Sequence, residues 1–277
     1  MANKTILKWA GSKARIMDKL LPHLPAGKRL VEPFAGSCAV MMNTDYPEYL
    51  VADANADLIN LYREVNAVPV DVFLCKAEDY FEDWFHCFNT EDDYYKNRDI
   101  FNERPFATSD ADKACLFLYL NRHGYNGLCR YNTKGEFNVP YGKYKKVYFP
   151  EAEIIAFRRK SRERASFSCL EWQDTLTLVD YGDVVYCDPP YLTKGKAFTQ
   201  YHEVNFTPAY HEALAVDLYT LNAHLGVPVT VSNSIAAKSL YADLGFTIHE
   251  IDAPRTIAAN GNRQPAKEII AVLEGAA

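Results

Sequence analysis

The feature that most restricts the fold is a short apolar run that ends on two prolines. Val184-Val185-Tyr186-Cys187 stops at Asp188-Pro189-Pro190-Tyr191. An apolar run this short, following Asp183, reads as a strand. The prolines remove two backbone donors and fix φ at about −65°. An apolar strand needs layers that cover it, and the alternation of elements along the chain reads as an α/β fold. The flanking pattern supplies those layers, because short apolar runs alternate with longer helical periods. Strands are expected at Arg29–Phe34, Tyr49–Asp53, Asp183–Cys187, Pro228–Val231, Phe246–Ile251 and Glu268–Leu273. Helices are expected to start at Ala39–Met42 and to cover Leu58–Val65, Glu151–Arg162, Pro208–Leu225 and Ala236–Ala242.

From Val70 to about Asn121 the period is helical, with acidic faces and apolar positions such as Leu74, Tyr80, Trp84, Leu116 and Leu120. Tyr125–Tyr148 is rich in Gly, Asn, Tyr and Lys and reads as a hairpin or structured loop. Lys194–Phe206 is polar and expected to be mobile. The strands fall at both ends of the chain. That predicts one catalytic domain from residues 1–60 and 148–277, with an insert at 61–147 that is mainly helical and carries a β-hairpin. No internal repeat interrupts this organisation.

Charge is segregated along the chain. The net charge is −6, yet Val65–Asp112 holds 12 acidic and 4 basic residues, whereas Arg122–Arg164 holds 11 basic and 4 acidic. Two solvated faces would explain this. So would a groove for a polyanion, which the interleaved Tyr125, Tyr131, Tyr141, Tyr144 and Tyr148 favour. No apolar run reaches the roughly 18 residues of a membrane span. Met1–Trp9 has no apolar stretch of the kind that makes a secretory signal. Seven cysteines, an odd number with no C-x-x-C spacing, support neither a zinc site nor a disulfide framework. Neither a metal nor a membrane partner is expected, and cysteine usage fits the cytoplasm.

Two segments carry candidate chemistry. In Val31 to Cys38 a strand, a glycine turn and a helix start follow one another, and Gly36 permits close backbone approach to a ligand. Asp53 ends the next strand, where a carboxylate can accept from ribose hydroxyls or simply cap a helix. A single glycine is not a pyrophosphate loop, so the pattern suits a ribose-bearing ligand without phosphates. In Asp188-Pro189-Pro190-Tyr191 the prolines leave a stiff rim of carbonyl acceptors beside a carboxylate and an aromatic ring. A rigid turn is one use for it. The other is to hold an exocyclic amine: the Asp188 carboxylate and the Pro189 carbonyl each accept one N–H, while Tyr191 offers a stacking face.

Asp188–Tyr191 resembles motif IV of amino-methyltransferases, and Phe34–Cys38 resembles their motif I. LKWAGSK at Leu7–Lys13 is similar to a segment of the Dam group of DNA adenine methyltransferases that contacts the methionine part of the cofactor. LFLYLNRHGYNGLCRYN at Leu116–Asn132 and GEFNVPYGKYKK at Gly135–Lys146 resemble that group's recognition region. The likeness runs nearly the full length and is weakest from Val70 to Asp110. It implies a Rossmann-like, S-adenosylmethionine-dependent sheet and methyl transfer to adenine N6 in double-stranded DNA, with GATC as target. By position, Trp9, Lys13, Asp53 and Asp188 hold the cofactor, and Phe34, Ala35, Gly36 and Ser37 line its pocket. Asp188, Pro189 and Tyr191 hold the extruded adenine. Tyr125, Asn126, Leu128 and Arg130 meet the DNA target, with Pro140, Lys143, Tyr144 and Lys8. Ser12 stands where the N-terminal motif often has a second glycine, and Lys143 where relatives can have arginine.

The chemistry of these side chains agrees. Arg130 can pair with guanine O6 and N7, and Leu128 and Pro140 can pack on a thymine methyl. Tyr125 and Asn126 can fill the stack that the adenine leaves, and Lys145 and Lys146 suit phosphates. Pro140, Lys143 and Lys8 read equally well as ordinary hairpin side chains. Arg255, Asn260 and Arg263 read either as DNA-backbone contacts or as a plain surface loop. Adenine N6 lies inside the duplex, so a base acted on there must be flipped out. The expected protein is a cytoplasmic, nucleoid-associated monomer of bacterial or phage origin. Two alternatives stay open: a catalytically inactive DNA-binding protein of the same fold, or an amino-methyltransferase acting on cytosine N4, RNA or protein glutamine.

Overall fold

The computed structural model describes residues 2–81, 90–103, 109–192, 206–254 and 266–275. In chain order the elements are α1 (Met17–Leu20), β1 (Arg29–Glu32), α2 (Ala39–Asn43), β2 (Glu48–Asp53), α3 (Ala56–Ala67), α4 (Val70–Phe81), α5 (Glu91–Glu103) and α6 (Asp110–His123). There follow α7 (Glu151–Ser161), β3 (Ala165–Cys169), α8 (Trp172–Leu176), β4 (Asp183–Cys187) and α9 (Pro208–Leu225). The chain closes with β5 (Val229–Ser234), α10 (Lys238–Asp243), β6 (Thr247–Ala253) and β7 (Ala266–Leu273).

The strands form one sheet in the order β3-β2-β1-β4-β5-β7-β6. β3 through β5 are parallel, and β7 runs antiparallel to both β5 and β6. This is a Rossmann-like α/β sheet. All five residues of β4 are buried, as the apolar run predicts. The register of β1 on β4 is locked by charge as well as by the ladder. Arg29 pairs with the buried Asp183 through two hydrogen bonds, of 3.2 and 2.6 Å, and the two residues are direct partners in the sheet.

Alternation along the strands sorts their side chains into two apolar clusters. Leu30, Val51, Val184 and Tyr186 join one face, and Val31, Leu50, Val185 and Cys187 the other. The second face is covered by Leu214 and Leu218 of α9 and by Tyr241 of α10. The first cluster continues into the helical segment through Phe73, Phe101, Phe117 and Phe137, so sheet and segment share a core. α6 runs through its middle, with every residue from Ala114 to His123 buried. Its start is set by a reciprocal capping box between Ser109 and Asp112.

Three expectations change on contact with the structure. The helical period from Val70 to Asn121 is broken into α4, α5 and α6. β3 is an additional strand: Ser166 and Ser168 break its apolar pattern, and as an edge strand it has only β2 as a partner. Tyr125–Tyr148 folds back on itself antiparallel, but through two isolated bridges, Gly124 with Tyr141 and Tyr131 with Phe137, rather than a continuous ladder. Most of Lys194–Phe206, together with Trp84, Arg255, Asn260 and Arg263, lies outside the described residues.

Candidate active site

The parallel strands all end on one edge, and their chain order reverses between β1 and β4. That switch point is where an open α/β sheet leaves a crevice. A cavity of about 580 Å³ opens there. β1 delivers Glu32 and the Phe34–Ser37 turn to it, β2 delivers Asp53, and β4 delivers Asp188, Pro189, Pro190 and Tyr191. The N-terminal segment brings Trp9, Ser12 and Lys13 to the same cavity. Every residue assigned to the cofactor or to catalysis from the sequence therefore lines one space.

Local geometry shows why these residue types stand here. Gly36 has φ +47°, and a Cβ added to it would lie 2.8 Å from Trp9 Nε1. The turn and the indole are thus in close contact that a larger residue would disrupt. Gly36 N donates to Asp53 Oδ2 at 3.0 Å, and Asn55 N donates to Asp53 Oδ1 at 3.0 Å, so the carboxylate knits the β1 turn to the end of β2. Ser12 lies 2.9 Å from Ser37, hydroxyl to hydroxyl, which ties the N-terminal segment to the same turn.

Asp188 is the electrostatic centre. Its Oδ2 sits 2.7 Å from the ammonium of Lys13, which is buried, while its Oδ1 is buried and has no partner among the described residues. Burial pushes the carboxyl up to about 6 against the pull of Lys13. The Lys13 ammonium also lies 4.8 Å from the centre of the Tyr191 ring. Glu32 is fully buried with one oxygen unpartnered among the described residues, and burial pushes it up to about 8. Among the described residues lining the cavity, the carboxyl groups of Asp53, Glu171 and Asp188, beside a Glu32 that burial keeps protonated, meet one ammonium, that of Lys13. Such a lining suits a cationic ligand and disfavours a phosphate.

The DNA-contact candidates lie together on the next surface. Lys8 adjoins Trp9, and its ammonium sits 3.9 Å from the Tyr144 ring centre while donating to Arg122 O at 3.1 Å. Burial, with the nearby Arg122, lowers its pKa. Tyr144 accepts from Asn126 N at 2.9 Å, which holds the 125–127 turn, and Tyr125 at its tip is half exposed. Arg130 gives Nε and Nη2 to Asn138, at 2.7 and 3.0 Å. One edge of its guanidinium is thereby fixed and the fork oriented. Leu128 leans on the core, whereas Pro140, Lys145 and Lys146 are exposed. Lys143 is exposed and 3.5 Å from Glu91, so a phosphate or base would have to displace that acid.

The two surfaces are physically joined. Asn121 of α6 is fully buried; it accepts from Lys8 N at 3.0 Å and donates to Lys8 O and Gly127 O at 2.8 and 3.1 Å. A Cβ on Gly127 would lie 2.2 Å from that of Lys8, so only glycine lets the turn abut the N-terminal segment.

Sequence reasoning missed Asn121, and also Glu171, Trp172, Gln173, Phe206 and Tyr210 of the cavity wall. Glu171–Gln173 follow β3 and would have been found had that strand been recognised. Glu32, inside the quoted motif, carried a signal too: an acid within an otherwise apolar strand end.

Known proteins match this arrangement. A family model described as D12 class N6 adenine-specific DNA methyltransferase matches residues 9–257. The chain is 52% identical over 273 residues to the retron Ec67 DNA adenine methylase of Escherichia coli, covering 97% of this chain and 90% of that one. It is 44% identical to the DNA adenine methylase of Serratia marcescens, covering 98% of each. With the DNA adenine methylase of Escherichia coli K12 it shares 40% identity over 98% of this chain and 95% of that one.

Proposed function

Because the chain belongs to the D12 class of N6 adenine-specific DNA methyltransferases, and is a DNA adenine methyltransferase, we propose that it uses S-adenosylmethionine to methylate the adenine of GATC after extruding it from the duplex. One observation carries the reading. Asp188 keeps a buried carboxylate oxygen, unpartnered among the described residues, on the wall of the cavity that Trp9, Gly36 and Asp53 also line. An orphaned acceptor is costly, and an incoming N–H relieves that cost.

The residues fit the donor. The acidic lining favours a sulfonium and an α-ammonium, and the single-glycine turn with Trp9 and Asp53 suits an adenosine without phosphates. Trp9, Lys13, Phe34, Ala35, Gly36, Ser37, Asp53 and Asp188 would hold it. When bound, S-adenosylmethionine supplies a methyl group made electrophilic by the positive sulfur.

The protein's own part is to prepare the amine. Asp188 Oδ1 and the Pro189 carbonyl accept the two N–H groups of N6, which turns the nitrogen lone pair out of the ring's conjugation. Tyr191 stacks on the base. Lys13 neutralises Oδ2 and keeps the carboxylate an acceptor, so the proton released from N6 leaves to water. Extrusion costs roughly a few kcal/mol, and Tyr125 with Asn126 offsets it by filling the vacated stack.

Residues 61–147 act as the target-recognition part, and 1–60 with 148–277 as the methyl-transfer part. Arg130, Leu128, Pro140, Lys143, Tyr144 and Lys8 meet the target site, while Lys145 and Lys146 meet the backbone. The protein works as a monomer in the cytoplasm, on the nucleoid. Expression in a methylation-free host, followed by genome sequencing for modified adenines, tests the whole reading. Modified adenine confined to GATC is the expected result. Modification in another context would overturn the target, and an unmodified genome would overturn the activity.

A further inference from the structure

We infer that Glu268 is a positioning residue for adenine capture, holding the Tyr191 ring in the orientation in which one face meets the extruded base. The inference rests on the reading of Tyr191 as the stacking ring. The Tyr191 hydroxyl donates to Glu268 Oε2 at 2.7 Å. Topology explains how so distant a residue reaches the site. β7 is antiparallel to the strands that end at the cavity, so its first residues, rather than its last, lie on that edge. Glu268 sits opposite Ser234 on β5 and Ile251 on β6, which pins its backbone from both sides.

The segment carrying Tyr191 is anchored to the same strands. Leu192 N donates to Asn233 Oδ1 at 3.1 Å, and Ser234 Oγ donates to Leu192 O at 2.5 Å. Tyr191 is thus clamped at its hydroxyl, along its backbone, and on the ring by the Lys13 ammonium. Burial, with the charges of Asp188 and Glu268, drives the phenol well above its ordinary range, so it stays a neutral donor to a carboxylate. A bond of that kind is short and directional. Without it the ring swings about its Cα–Cβ bond, which carries the hydroxyl end along an arc, and the base meets a loose platform.

The test is single-turnover methyl transfer to a duplex with one GATC, at saturating protein and S-adenosylmethionine. Extrusion is followed by 2-aminopurine fluorescence at the target position. Glu268→Ala is expected to slow transfer by about 10- to 100-fold, the scale of a misplaced reacting group. DNA affinity should change little. Glu268→Gln keeps an acceptor for the hydroxyl and should restore most of the rate. Tyr191→Phe removes the same bond from the other side and should match Glu268→Ala, and the double variant should be no slower than either. Additive losses, or a glutamine variant as slow as the alanine one, would make Glu268 merely structural and overturn the inference. If Glu268→Ala fails to fold, Tyr191→Phe decides alone: an unchanged rate overturns it. Tyr191→Ala separates the two layers. Full activity there overturns the stacking reading and the inference together, whereas lost activity beside a normal Glu268→Ala overturns only the inference.

Discussion

Replacing Lys13 with methionine should move the acid limb of methyl transfer to higher pH. Lys13 is 5% exposed, and its ammonium lies 2.7 Å from Asp188 Oδ2. Burial pushes the Asp188 carboxyl up to about 6, and Lys13 is the main influence holding it down. In the proposed role Asp188 is an ionised acceptor, which predicts activity above its pKa and loss of activity as pH falls through it. With a pKa of about 6, roughly nine-tenths of the carboxyls are ionised at pH 7. Losing an adjacent opposite charge typically raises a carboxyl by about 1–3 units. The variant's limb is then expected between about 7 and 9, where the ionised fraction at pH 7 falls from about one half to about one hundredth. Methionine preserves the length and burial of the stem, so packing is largely kept. The assay is kcat/KM for a GATC duplex from pH 5 to 9.5, at saturating S-adenosylmethionine to remove any loss of cofactor affinity. A folded, cofactor-binding variant whose acid limb coincides with the wild type's would refute the argument that this ion pair sets the carboxylate.

Three further outcomes follow from particular contacts. Arg130→Ala should relax discrimination at one guanine by about 1–3 kcal/mol, read from methylation rates on GATC and singly substituted sites; equal weakening on all sequences would make Arg130 a phosphate contact instead. Gly36→Ala places a Cβ 2.8 Å from Trp9 Nε1 at φ +47°. The left-handed backbone alone costs alanine about 1–2 kcal/mol, so folding stability measured by urea unfolding should fall by at least that much, and unchanged stability would place the indole elsewhere. Glu32, pushed up to about 8 from its ordinary 4.5, holds a proton in the folded chain that the unfolded chain has released. Stability should therefore fall as pH rises between those values and level off above the upper one. Glu32→Gln should remove a slope on the order of 1 kcal/mol per pH unit in urea unfolding, and an identical slope in the variant would refute the burial argument.

Much of the site was legible before any folding because its chemistry is carried by contiguous residues. Asp188-Pro189-Pro190-Tyr191 fixes its own rim of acceptors, and the Phe34–Ser37 turn needs the conformational freedom of Gly36 whatever surrounds it. Strand periods told β1, β2 and β4 apart from their helices, since alternation and full burial leave a mark within five or six residues. β3 left none, because an edge strand with Ser166 and Ser168 does not look apolar. The Tyr125–Tyr148 segment was recognisable as an antiparallel return, yet its length of true ladder depended on packing around Tyr94, Tyr119 and Phe137.

What the chain determines locally, then, is the α/β class, the Asp188–Tyr191 motif and the basic block from Arg122 to Arg164. What tertiary structure alone decides is which distant side chains tune them. Lys8 and Asn121 are 113 residues apart, and Tyr191 and Glu268 are 77 apart. Lys13 reaches Asp188 from the other end of the chain. No local period encodes such meetings. They arise because the sheet order brings the carboxyl ends of β1, β2 and β4 to one edge, and because the reversed direction of β7 delivers Glu268 there as well.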